Sequence, residues 1–168
     1  GDKANATRPE IEQILISNAK DISEEEFERE LYVIRRRIEK AAAAAGINGM
    51  YLCSLSCRSI IYKGMMLAEQ VADFYPDLKD ERFESAFAIY HQRYSTNTFP
   101  EWWLAQPFRM LAHNGEINTL KGNVNWMKSH EIRMASGAFG DLAEDIKPII
   151  PAGSSDSAAL DSVFEVLV

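Results

Sequence analysis

Cysteine is scarce in this chain: Cys53 and Cys57 are the only two in 168 residues. A secreted disulfide framework of this size needs more. The sequence therefore points to a reducing compartment, the cytoplasm or, in a plant or alga, a plastid. No block of Lys and Arg is present and the net charge is -7, which excludes the basic face of a general nucleic-acid binder. No charged segment leads into an apolar one at the start. No apolar run approaches the ~20 residues of a membrane span, and "AAAAAG" at 41–46 is far shorter. His91, His113 and His130 stand at no ligand-like spacing, from one another or from the cysteines, so no metal is expected. Neither an internal repeat nor a low-complexity linker marks a second domain.

The chain has the bulk of a globular domain, with 46% hydrophobic and 26% charged residues. Its acid excess is local, at "DISEEEFERE" (21–30), which reads as a solvated helix face. Ser23 and Glu26 have capping-box spacing. Phe27, Leu31, Ile34, Ile38, Ala41 and Ala45 then recur as one helix face, and Gly46 is a natural stop. Further helices are expected over 67–74, from Thr119 with Leu120, Val124 and Met127 on one face to near Gly137, and after Ser155. Strands are expected at 10–16, as a pair over 50–64 turning at 57–59, at 83–94 and at 108–114. The mixture lacks βαβ alternation and predicts an α+β fold with antiparallel pairing.

Two of the expected strands run into polar corners, "HQRYSTNT" at 91–98 and "LAHNGEINT" at 111–119. Each corner has a bland reading beside a functional one. Asn114-Gly115 is a strong hairpin signal; it also offers a carboxamide and a glycine N–H as two donors toward one point, the need of an oxyanion hole. Arg93 is either a surface ion pair or a guanidinium fork for a carboxylate, with Ser95, Thr96, Asn97 and Thr98 adding short polar groups. Asp156 follows "GSS" and either complements a helix dipole or grips an ammonium group. Cys53 and Cys57 are four apart on an expected strand, share a side and read as core or half-buried thiols. Trp102 and Trp103 read as packing a loop down. Together, Arg93, Asp156 and Asn114/Gly115 would suit an α-amino acid carrying a side-chain acyl group.

At this point the sequence resembles the glutaminase domain of the glutamate synthase large subunit. The stretch "YHQRYSTNTFPEWWLAQPFRMLAHNGEINTLKGNVNWM" (90–127) carries the resemblance, with "SLSCRSIIYKGMM" (54–66) and "GSSDSAALDSVFEVL" (153–167). The wider class is the type II glutamine amidotransferases. In that class the R-x-S-T-N and H-N-G patterns recur, and the block from His113 to Met127 narrows the likeness to glutamate synthase. The resemblance implies an N-terminal-nucleophile fold, a four-layer α/β/β/α sandwich with antiparallel sheets. It implies hydrolysis of L-glutamine by an N-terminal cysteine whose own amino group is the base. It assigns Arg93 to the glutamine α-carboxylate, Asp156 to the α-ammonium, and Asn114 with Gly115 to the oxyanion hole. For the parent enzyme it implies FMN and an iron–sulfur cluster in a synthase region, none in this segment, and a small subunit or ferredoxin as partner.

The nucleophile of that family is not among these residues. Residue 1 is glycine, and "CSLSC" does not match the nucleophile's motif. Residues 1–168 are therefore expected to be a partial domain, truncated at both ends and inactive by itself. Two alternatives stay open: a non-catalytic amino-acid-binding or interaction module on the same scaffold, and another type II amidotransferase, such as an amidophosphoribosyltransferase or asparagine synthetase.

Overall fold

The computed structural model describes residues 1–94, 101–117, 119–134 and 137–168. Among these described residues five α-helices follow in chain order: α1 (Asp2–Ala6), α2 (Glu24–Ala44), α3 (Val71–Phe74), α4 (Leu120–Glu131) and α5 (Asp156–Leu167). A 3-10 turn at Ala68–Gln70 leads into α3, so the expected 67–74 helix is present in two short pieces. Among the described residues no helix is long and apolar enough to cross a membrane.

Helix α2 begins as its sequence dictates. The Glu26 amide donates to Ser23 Oγ at 3.2 Å and the Ser23 amide to Glu26 Oε2 at 3.1 Å, a closed capping box. It ends before Gly46, whose φ of 70° suits the left-handed conformation that stops a helix. Its buried face differs from the expected one. Leu31, Tyr32, Val33, Arg35, Arg36 and Ala42 are buried, whereas Ile34 and Ile38 are 38% and 39% exposed. Two arginines can occupy the inner face because partners reach them there. Arg35 pairs with Glu39 at 2.7 Å and with Glu165 of α5 at 2.6 Å, and Arg36 pairs with Glu39 at 2.5 Å.

The core gathers Tyr32 and Val33 of α2 with Ile146 and Ile149, which are 0% and 1% exposed. Met127, Phe139, Val163 and Val166 pack against it. The connecting segment is pinned by backbone bonds: Arg36 donates to the carbonyls of Ile146 and Pro148, and the Ile149 amide donates to buried Glu131 at 2.7 Å. Helix α4 ends at Glu131, earlier than the expected Gly137, and Thr119 occupies its N-cap without a side-chain bond. Helix α5 starts as expected, its Ser155 Oγ accepting from the Ala158 amide at 3.2 Å.

None of the expected strands forms a ladder among the described residues. An apolar alternation becomes a strand only when a neighbour supplies backbone partners, and here many of the amides bond to side chains instead. Ser56 Oγ accepts from the Arg58 and Ser59 amides, which makes the expected turn near 57–59. Across that turn the Ile61 amide donates to Ser54 Oγ at 3.2 Å. In the 108–114 segment the Arg109, Met110 and Leu111 amides converge on Asp161. Residues 10–16 and 83–90 carry exposed apolar side chains, Leu15 at 97% and Tyr90 at 82%.

Candidate functional site

The first turn of α5 meets the H-N-G corner. Asp156, half-buried, uses both carboxylate oxygens: Oδ1 accepts from the Ser157 amide at 2.7 Å and the Ser157 hydroxyl at 3.1 Å, and Oδ2 accepts from the Ile117 amide at 3.1 Å. Burial pushes this carboxyl upward, but the Ser157 and Ile117 amides, the Ser157 hydroxyl and nearby His113 outweigh it and hold it below the usual carboxylate range. The group is therefore an anion at neutral pH. It opens on a groove of about 470 Å³ between α4 and α5, lined by Leu120, Trp126, Met127, Leu160 and Val163 among others. An ionised carboxylate on an apolar wall suits an organic cation such as an ammonium group.

His113 sits between the two halves of this corner. Its Nε2 is 2.7 Å from Ser157 Oγ and its Nδ1 accepts from the Gly115 amide at 2.9 Å. The His113 amide donates to Gln106 Oε1 at 2.7 Å. Buried Asp161, 1% exposed, lies one turn beyond Ser157 on α5 and collects the Arg109, Met110 and Leu111 amides at 3.2, 2.7 and 3.1 Å. One helix thus holds both ends of residues 109–117.

Of the expected site residues, Gly115 and Asp156 are therefore joined in one hydrogen-bonded unit, with Asn114 exposed beside Gly115. Arg93 is exposed, and no hydrogen bond or ion pair ties it to that unit among the described residues. Ser95, Thr96, Asn97 and Thr98 lie outside the described residues. In the sequence His113 stands out only as a possible metal ligand, and nothing singles out Ser157, Gln106 or Asp161. Their signal was present as neighbours of the corners, "AHNG" and "SSDSAALD", but spacing does not show that they meet across 44 residues of chain.

The cysteines differ from each other. Cys53 is half-buried, as expected, and Cys57 is exposed. The Cys57 thiol donates to Glu28 Oε2 at 3.1 Å; burial and this carboxylate push its pKa up. Burial also raises Cys53, although Lys63 and Arg109 oppose it. Neither environment favours a thiolate. Trp102 and Trp103 pack on Tyr51, with ring centroids 5.8 and 6.4 Å away, and hold their loop down as expected.

The family of class-II glutamine amidotransferases matches this chain over residues 1–168, and the chain belongs to that family. More particularly, it is 71% identical over 168 residues to the "Glutamate synthase [NADPH] large chain" of Azospirillum brasilense, covering all of this chain and 11% of that protein. It is 48% identical over 169 residues to the "Ferredoxin-dependent glutamate synthase, chloroplastic" of Oryza sativa subsp. japonica, 10% of whose length is covered. With the "Glutamate synthase [NADPH] large chain" of Bacillus subtilis (strain 168) the identity is 47% over 169 residues, 11% of that protein. The chain spans about a tenth of the length of these curated relatives.

Proposed function

We propose that residues 1–168 are part of the glutaminase domain of a glutamate synthase and form much of its glutamine pocket. In this reading Asp156 holds the α-ammonium of L-glutamine and Arg93 holds its α-carboxylate as a bidentate fork. A cysteine supplied from outside these residues attacks the side-chain amide carbon. Negative charge then develops on the amide oxygen, where the Asn114 carboxamide donates to it together with the Gly115 N–H, which must first leave His113 Nδ1, its acceptor at 2.9 Å. Ammonia leaves, and water releases glutamate from the thioester. The observation that carries the reading is the bond from the Ile117 amide to Asp156 at 3.1 Å. It sets the ionised Asp156 carboxylate of the α4–α5 groove against the backbone of the H-N-G corner. A calorimetric titration with L-glutamine, with D-glutamine as control, tests it. Binding of the L form alone is the expected result, and Asp156→Asn should abolish it. Equal binding of both enantiomers, or an unaffected Asp156→Asn variant, refutes the assignment.

The complete domain in this reading is the four-layer α/β/β/α sandwich of the N-terminal-nucleophile fold. The apolar segments at 10–16 and 83–90 would join its antiparallel sheets. By itself the chain turns over no glutamine, because the family's nucleophile is not among its residues and burial raises the pKa of both Cys53 and Cys57. Glutaminase turnover that survives Cys53→Ser/Cys57→Ser would overturn this statement. Ammonia from the site would feed reductive amination of 2-oxoglutarate in a synthase region that binds FMN and an iron–sulfur cluster. Among the described residues no three His, Cys, Asp or Glu side chains form a metal-binding group. A small subunit or ferredoxin would deliver the electrons, in the cytoplasm or a plastid.

A further inference from the structure

We propose that Asp161 is a positioning residue for the reaction, one that fixes the span between Asp156 and Asn114 and so sets the side-chain length the site accepts. The proposal rests on the glutamine reading above. Its basis is a stripe of α5. Ser157, Asp161 and Glu165 recur every four residues and share one helix face. They meet the 109–113 segment in reverse order. Ser157 Oγ is 2.7 Å from His113 Nε2. Asp161 takes the Leu111, Met110 and Arg109 amides at 3.1, 2.7 and 3.2 Å. Glu165 lies 3.9 Å from the Arg109 guanidinium.

Asp161 holds the middle of that stripe. Three successive N–H groups aimed at one point make an anion-binding concavity, and this buried carboxylate fills it. The Phe108 amide donates to the Leu111 carbonyl at 2.9 Å and closes the chain around it. Asn114 stands three residues beyond Leu111 and three before Ile117, whose amide is on Asp156 at 3.1 Å. Three residues of chain reach at most about 11 Å. With Leu111 held by Asp161 and Ile117 by Asp156, both on α5, Asn114 has little freedom to move relative to the Asp156 carboxylate. A substrate must then span a fixed distance, from its ammonium group on Asp156 to its acyl oxygen at Asn114. An aspartyl substrate carries the same groups on a side chain one methylene shorter. Contact energy alone separates such a pair by about 10–200-fold. A fixed span adds misalignment of the reacting carbon, at a cost of about a hundredfold per ångström.

The test compares two activated substrates on the intact enzyme, the γ-hydroxamate of L-glutamate and the β-hydroxamate of L-aspartate, whose good leaving groups make the shorter one measurable. Asp161→Asn keeps the size of the side chain but turns one acceptor into a donor that faces a backbone N–H. The ratio of kcat/KM for the glutamyl over the aspartyl substrate should fall about tenfold, chiefly through a lower kcat on the former. Asp161→Glu keeps the charge and pushes residues 109–111 away from α5, and it should lower the ratio too. Ile146→Val, a core change away from the stripe, should leave the ratio within about twofold. A purely structural Asp161 would reduce the amount of folded enzyme and leave the ratio of the folded fraction unchanged. An unchanged ratio, or the failure of both Asp161 variants to fold, overturns the proposal. Native enzyme that turns over neither L-glutamine nor its hydroxamate sinks the glutamine reading and this proposal together. Native enzyme that does turn them over confines an unchanged ratio to Asp161 and leaves the glutamine reading standing.

Discussion

The carboxylate of Asp161 on α5 accepts the Met110 amide at 2.7 Å. Because Arg109 and Leu111 donate to the same carboxylate, one buried side chain stands in for the strand partner that this segment lacks among the described residues. Asp161→Ala would leave three backbone donors short of an acceptor. We expect a loss of about 3 kcal/mol or more, read from denaturant unfolding, together with weaker L-glutamine binding because residues 109–117 lose one of their anchors. An unchanged unfolding midpoint would show that these amides find water instead.

Glu39 stands among Arg35, Arg36 and Arg109, at 2.7, 2.5 and 3.6 Å. Burial pushes its carboxyl upward, but the three guanidiniums outweigh that and hold it below the usual range. A carboxyl lowered on folding stabilises the fold above its unfolded pKa, and the contribution is lost as pH falls through the folded value. Glu39→Gln should therefore destabilise by about 3–5 kcal/mol at neutral pH. The gap from the native protein should narrow as the medium becomes acid. A gap that stays constant with pH would assign the loss to packing.

Lys63 is buried and has no carboxylate partner among the described residues. Its Nζ donates to the Trp103 carbonyl at 2.9 Å and lies 4.7 and 4.6 Å from the Tyr51 and Phe108 ring centres. Burial pushes its pKa down to about 8, against ~10.4 for an unfolded lysine. Between those values the unfolded chain binds the extra proton, so the Lys63 contribution to stability rises with pH. Lys63→Met should show less of that rise, and its melting temperature relative to the native protein should fall steadily across this window. Parallel pH curves for the two proteins would refute the assignment.

Arg93→Lys should weaken L-glutamine binding at least about tenfold, because a point charge cannot reproduce a bidentate fork. Calorimetry on the intact domain decides it, and unchanged affinity would remove Arg93 from the pocket.

Asn114→Ala should lower turnover by about a hundredfold, mostly in kcat, if its carboxamide meets charge only in the transition state. A rise in KM alone would make it a ground-state contact.

Local chemistry determined what lay within one turn of the chain. The Ser23–Glu26 box, the Gly46 stop and the Ser155 cap follow from residues three or four apart, and helix α5 placed Asp156 at its own first position. The candidate site residues stood out for the same reason: Asn114 with Gly115, Arg93 and Asp156 each suggest a chemistry by residue type. Strand pairing, the inner face of α2 and the union of Gly115 with Asp156 depend on partners that periodicity does not name. Ile34 and Ile38 lost the inner face to Arg35 and Arg36 because Glu165 approaches from 130 residues away. His113 meets Ser157 only because the fold brings that hydroxyl to its Nε2. Hydrophobic pattern records what a residue prefers on average; the tertiary structure decides which buried charge finds its counter-ion and which amide finds its acceptor.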